Sequence, residues 1–176
     1  ILALWLTKHQ MNVEFFKEFG RTNPTLPLTD AGNIIQGNAC RFDWEEVCPK
    51  KVDDEIYILG NPPYLGSRNQ SKEQKEDLKF VFEKDYKSLD YIAAWFYLAA
   101  NYLRESSVKI AFVSTNSISQ GEQVALTWPR ILKDTIEINF AHKSFKWVNN
   151  AKSNATVTVV IIGLSTKTNR KKYLFY

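Results

Sequence analysis

The apolar positions change period several times along the chain, and each change marks an element. Over residues 1–19, Leu2, Trp5, Leu6, Val13, Phe16 and Phe19 recur at helical spacing with Gly20 behind them as a stop, which predicts a helix. Residues 21–32 hold Pro24, Pro27 and Gly32 among Thr and Asn and read as a loop. Short apolar runs at 33–36, 55–59 and 109–113 predict strands, and near-continuous runs of that length suit strands buried on both faces of a mostly parallel sheet. Helices are expected at about 71–83 and 88–104; the second lines up Leu89, Ile92, Ala93, Phe96, Ala99 and Leu103 on one stripe. A helix at 122–132, a strand at 135–141 and a β-branched strand from Thr156 to Ile162 complete the pattern.

Strands alternating with helices indicate an α/β fold around a central sheet. The loop 142–154 is too short for a helical crossover, so the closing two strands are expected to pair antiparallel at one edge of an otherwise parallel sheet. The expected fold class is therefore α/β, mostly parallel with an antiparallel last strand. No internal repeat or low-complexity stretch interrupts it.

At 176 residues, 44% hydrophobic and 24% charged, the chain has the size and composition of one globular domain. No apolar run approaches the roughly 20 residues of a membrane span, so no membrane partner is expected. The opening Ile1-Leu2-Ala3-Leu4-Trp5-Leu6 lacks the basic flank and cleavage site of a signal peptide. A start on Ile1 rather than Met reads as a piece of something longer. Cys40 and Cys48 show no CxxC spacing and no His partners, which suits reduced thiols in a cytoplasmic protein and gives no metal-ligand set. The net charge of +4, from 23 basic and 19 acidic residues, is mild. It is clustered at Arg68, Lys72, Lys75 and Lys79, at Lys143, Lys146 and Lys152, and at Lys167, Arg170, Lys171 and Lys172. Such runs are solvated faces more often than phosphate contacts.

One short motif carries chemistry. Asn61-Pro62-Pro63-Tyr64 follows the 55–59 strand directly, at the carboxyl end where ligands of open α/β sheets sit. Asn and Pro also form ordinary turns, yet by residue usage this tetrapeptide arises by chance in roughly one chain in a thousand of this length. Two prolines stiffen the backbone and fix where its carbonyls point. Stiff, outward-facing acceptors suit methyl transfer to an exocyclic amine of a base, whose nitrogen lone pair is delocalised into the ring. An acceptor on each N–H draws the nitrogen toward tetrahedral geometry and stabilises the charge that develops on it. The Asn61 side-chain oxygen and the Pro62 carbonyl can be those acceptors, with Tyr64 stacked on the base face. The base must first leave the duplex, at a cost of a few kcal/mol.

The wider pattern resembles the methyltransferase core of the MmeI-like family. The blocks that carry the resemblance are Gly60–Ser67, Gln70–Lys75, Lys87-Ser88-Leu89-Asp90-Tyr91, Phe112–Ile118, Gly121-Glu122-Gln123-Val124, Ser144-Phe145-Lys146-Trp147 and Asn149-Asn150-Ala151-Lys152. The resemblance implies a Rossmann-like class I fold, S-adenosyl-L-methionine as cofactor, double-stranded DNA as partner, and methylation of adenine N6 within a bacterial or archaeal restriction-modification enzyme. It implies that Asn61, Pro62, Pro63 and Tyr64 form the catalytic loop, and that Phe145, or Trp147 in competition, stacks on the flipped base. It further implies that Gly37-Asn38-Ala39 holds the cofactor adenine, with Asn38, Ala39 and Asn61 as contacts and Asp43 as the alternative. Asp90, Tyr91 and Trp95 fit either the cofactor pocket or the core.

The glycine-rich loop of such enzymes and the acidic residue for the cofactor ribose are expected upstream of Ile1, as is any nuclease module; a target-recognition domain is expected downstream of Tyr176. No G-x-G occurs in the chain. The resemblance therefore implies that 1–176 is part of a methyltransferase domain. Two alternatives stay open. One is an amino-methyltransferase acting on RNA guanine, protein glutamine or cytosine N4. The other is a catalytically incomplete binding module derived from such an enzyme.

Overall fold

The computed structural model describes residues 2–20, 34–51, 53–104, 106–133, 135–147 and 157–176. It divides into two compact units, 1–37 and 38–176. In the first, helix α1 (Leu2–Phe19) ends where expected: Gly20 adopts φ +66° and its N–H returns to the Phe16 carbonyl at 2.8 Å, a left-handed stop that glycine takes without strain. The expected loop 21–32 lies outside the described residues.

The second unit is built on a five-stranded sheet in the order β1-β2-β4-β3-β5. Its strands are β1 (Tyr57–Gly60), β2 (Lys109–Thr115), β3 (Ile136–Trp147), β4 (Val157–Thr166) and β5 (Tyr173–Phe175). β1 and β2 are parallel, β4 is antiparallel to both β2 and β3, and β5 is parallel to β3. Only β4 runs against the rest, so the α/β, mostly parallel reading holds. Its placement differs from expectation: β4 sits inside the sheet between β2 and β3, and the unforeseen β5 forms the edge. Its apolar run, Tyr173-Leu174-Phe175, is only three residues long, shorter than the runs from which a strand is read.

Helices α2 (Trp44–Val47), α3 (Lys72–Phe82), α4 (Ala93–Leu103) and α5 (Gly121–Ile131) complete the described elements of this unit. α3 starts on a capping box: Ser71 Oγ accepts from the Gln74 N–H, and Gln74 Oε1 accepts from the Ser71 N–H. α4 begins at Ala93 rather than 88, after the turn in which Asp90 O accepts from the Ala93 N–H. Its alanines let it lie close to β2, and Phe96 is the centre of the core. The Phe96 ring meets Phe112 of β2 at 5.3 Å and Trp128 of α5 at 5.4 Å, both edge-to-face. Ile110, Phe112, Val160, Ile162 and Leu164 line the same face of the sheet.

Three local expectations are corrected. Residues 34–36 form no strand, because no neighbouring strand among the described residues takes up their backbone groups. β1, an edge strand of the described sheet, is not buried on both faces: Tyr57 is 55% and Leu59 75% exposed, and these two alternate residues share one face. The 142–154 segment, expected as loop, is strand as far as Trp147, with 148–154 outside the described residues. Register shifts at 138/140 and 142/145 explain why its hydrophobic alternation was illegible. Among the described residues, no helix is long and apolar enough to cross a membrane.

One of these irregularities has a steric partner. A Cβ on Gly163 of β4 would lie 2.2 and 2.4 Å from ring carbons of Phe140 and 2.8 Å from Asn139 Oδ1. The Phe140 ring thus rests on the glycine itself. Gly163→Ala is expected to destabilise the protein by about 1–3 kcal/mol in urea unfolding. A variant as stable as wild type would show that the ring is not held there.

Candidate active site

The Asn61-Pro62-Pro63-Tyr64 loop leaves β1 immediately after Gly60, which is level with Phe112 of β2. Gly60 lies against the core: a Cβ there would make ordinary contact with the Phe112 ring at 3.5 Å and Pro62 Cδ at 3.8 Å. Pro62 is buried, Tyr64 is half-buried against the main core cluster, and Asn61 and Pro63 are exposed. Among the described residues the Asn61 carboxamide has no hydrogen-bond partner, so its oxygen is free to accept from a ligand.

The loop is held from behind. The Leu65 carbonyl accepts the Tyr91 N–H at 2.9 Å and Gln70 Nε2 at 2.9 Å. Gln70 Nε2 also donates to the Leu89 carbonyl at 2.9 Å. Gln70 is only 7% exposed, so it ties the loop to the 89–91 turn from within the protein. Beside it lies buried Asp90, which accepts from Ser117 Oγ just past β2, while its backbone N–H donates to Gln123 Oε1 of α5 at 3.0 Å. Gln123 Nε2 closes the circuit on the Ser88 carbonyl at 2.6 Å. Asp90 is thus a link between loop, β2 and α5, and Tyr91 and Trp95 pack in the interior edge-to-face at 4.9 Å. None of Gln70, Asp90 or Gln123 was singled out for this from sequence; a single polar residue shows no sign of a structural role until its partners are known.

β1, β2 and β3 run the same way, so their carboxyl ends share one rim. Phe145, opposite Val159, and Trp147, opposite Val157, therefore lie on the rim that carries the loop. They stand on strand rather than loop. Three strand spacings, about 14 Å, separate β3 from β1. Phe145 is half-buried, edge-to-face with His142 at 5.1 Å, and its centroid is 6.2 Å from that of the more exposed Trp147. Among the described residues no ring contact joins Tyr64 to either of them.

The 38–43 segment is a tight turn packed on α3. Asn38 Oδ1 accepts the Cys40 N–H at 2.9 Å, and Asn38 Nδ2 donates to Asp77 Oδ2 at 2.8 Å. The Ala39 carbonyl accepts Trp44 Nε1 at 2.9 Å, and Asp43 Oδ1 caps α2 by accepting the Glu45 N–H at 2.9 Å. Asn38 and Asp43 are therefore already engaged in shaping the turn, though each oxygen keeps accepting capacity. Asp77, only 4% exposed, is the anchor: it also accepts Tyr91 OH and Arg41 Nε, each at 2.8 Å. Burial pushes its pKa up, but the hydrogen bonds from Asn38, Tyr91 and Arg41 and the Arg41 charge outweigh this and hold it below the ordinary value. Burial, followed by the nearby Asp77 charge, pushes the Cys40 thiol up to about 12.

Two clefts, of about 910 Å³ and about 860 Å³, open at the opposite rim and are lined by residues such as Lys50, Arg104 and Thr166, and Glu137, Arg170 and Tyr173. Neither includes any part of the 61–64 loop.

The loop thus stands at the carboxyl end of a parallel strand in an α/β sheet, the place where ligands of open α/β folds sit. The whole chain, residues 1–176, matches the family described as the MmeI DNA-methyltransferase domain, and it belongs to that family. DNA methyltransferase A of Bacillus subtilis (strain 168) is 54% identical over 180 residues, which is 99% of this chain and 20% of that protein. A solved structure of the type IIL restriction-modification enzyme MmeI in complex with DNA superposes with a TM-score of 0.81 at 44% identity, covering 98% of this chain and 23% of that one. The chain thus spans a fifth to a quarter of the length of these relatives.

Because Asp77 titrates below its unfolded value, its contribution is complete at neutral pH. It is lost as pH falls from the ordinary value of 3.8 through the lowered folded one. The urea midpoint of the wild type is expected to fall more steeply over that acid range than that of Asp77→Asn. Parallel curves would show that the carboxylate adds nothing.

Proposed function

We propose that this chain is the methyl-transfer part of a restriction-modification enzyme that methylates adenine N6 in double-stranded DNA in the cytoplasm of a bacterium or archaeon. The observation that carries this reading is the clamped Asn61-Pro62-Pro63-Tyr64 loop, its Asn61 carboxamide without a hydrogen-bond partner among the described residues, in a chain of the MmeI DNA-methyltransferase family. That MmeI was solved in complex with DNA supports a DNA substrate here. The greater length of the relatives supports further segments, among them nuclease and target-recognition parts, on the same protein.

In this reading the flipped adenine enters at the rim with Tyr64 on one face and Phe145, or Trp147, on the other. Two aromatic side chains and a base fill the distance between β1 and β3. Asn61 Oδ1 and the Pro62 carbonyl each accept one hydrogen of the 6-amino group. They turn its lone pair outward and stabilise the positive charge as the new N–C bond forms. The surplus proton then leaves to water. Pro62 and Pro63 keep both acceptors fixed, so little reorganisation accompanies the step.

S-adenosyl-L-methionine would supply the methyl group from its sulfonium. The donor set present here fits its adenine end: Asn38 Oδ1 offers an acceptor to an amino group, Ala39 and Asp43 stand on the same turn, and Asn61 lies at the methyl-transfer end. These residues bind and orient; none needs to change protonation state.

Methyl incorporation into duplex DNA by the intact protein, followed by identification of the modified nucleoside, tests the reading. N6-methyladenine is expected, with kcat lowered about 100-fold or more in Asn61→Ala and DNA binding retained. N4-methylcytosine would replace the substrate assignment, and no cofactor-dependent transfer by the folded protein would leave a binding module.

A further inference from the structure

Asn38 faces two neighbours that between them fix its orientation. The Cys40 N–H can only donate, so it requires the amide oxygen of Asn38; the ionised Asp77 carboxylate can only accept, so it requires the amide nitrogen. Asp77 is itself immobile, buried on α3 and held by Tyr91 of the 89–91 turn and by Arg41. Arg41 in turn lies over the Phe80 ring at 4.4 Å. With its nitrogen taken, exposed Asn38 keeps one accepting position on Oδ1.

We propose that Asp77 is a positioning residue for the cofactor: by engaging Asn38 Nδ2 it presents Asn38 Oδ1 as the acceptor for the adenine amino group. The proposal rests on the reading that the 38–43 turn holds the cofactor adenine, and it makes a specific demand on residue types. Asn38→Asp sets a second carboxylate against Asp77, and Asp77→Asn replaces the acceptor-only carboxylate by an amide that can also donate, so that only the Cys40 N–H still orients the Asn38 amide. Combining the two substitutions exchanges the side chains and restores one carboxylate, one amide and the acceptor. In that exchanged pair the amide nitrogen at position 77 donates to the carboxylate at position 38. The amide oxygen at position 77 accepts from Arg41, and the Tyr91 hydroxyl keeps a partner in the same amide.

The test measures binding of S-adenosylhomocysteine, and of its analogue lacking the purine 6-amino group, to the intact protein by calorimetry. The variants are Asn38→Asp, Asp77→Asn, the exchanged pair and Asn38→Ala, with thermal unfolding to establish that each is folded. Wild type is expected to prefer the amino compound. Each of the two single exchanges weakens that compound about tenfold and erases the preference, while the exchanged pair returns to within about threefold of wild type. A merely structural role for Asp77 would weaken both compounds alike, which would overturn the proposal. So would an exchanged pair no better than the product of its singles. Should Asp77→Asn not fold, Asn38→Asp against the exchanged pair still decides between recovery and none. Unchanged binding in Asn38→Ala would withdraw the underlying reading of the turn. Weakened binding in Asn38→Ala beside wild-type binding in Asp77→Asn would overturn only the role of Asp77.

Discussion

The Leu65 carbonyl is the point on which the candidate site depends. It accepts the Gln70 side chain and the Tyr91 backbone N–H together, and Gln70 Nε2 reaches on to the Leu89 carbonyl. An exposed turn after an edge strand would otherwise be free to move, since loop backbones there have water as an alternative partner. Buried donors remove that alternative. A loop that must hold two acceptors in fixed positions gains from this arrangement what the prolines alone cannot give: an anchor on the far side of Tyr64, matching the one that β1 provides before Asn61.

The rest of the domain carries that anchor to the core. The 89–91 turn precedes α4, α4 is fixed by Phe96 between Phe112 and Trp128, and Phe112 lies beneath Gly60. Loop, turn and strand therefore share one set of packing contacts. The same turn supplies Tyr91, whose hydroxyl donates to Asp77, and so links the 61–64 loop to the 38–43 turn. The two parts of the site proposed for target base and cofactor are bridged by adjacent residues, Asp90 and Tyr91.

Much of this was legible in the sequence, for identifiable reasons. The helices from 72 and 121 and the strand at 109 follow strong periodicity, and Gly20 ends α1 as glycine at a left-handed position should. The Asn61–Tyr64 loop was found because its residue types are rare together and stand after an apolar run. The order of strands was harder: that β4 enters between β2 and β3 depends on long-range pairing, which local pattern does not encode. β3 was cut short because its two register shifts break the alternation that marks a strand. Asp77 and Gln70 were passed over because a single polar residue in an otherwise solvent-like helix or turn becomes informative only when its partners, up to 39 residues away in the chain, are known.

The clamp on the loop is the feature to test most directly. Gln70→Ala in the intact protein removes both donations to the Leu65 and Leu89 carbonyls while leaving every proposed contact to base and cofactor in place. Single-turnover methyl transfer at saturating DNA and cofactor should then slow by about tenfold or more, as a loosened catalytic geometry requires, with the affinities for both ligands little changed. A wild-type single-turnover rate in the folded variant would contradict a preorganised loop and leave the clamp a matter of stability alone.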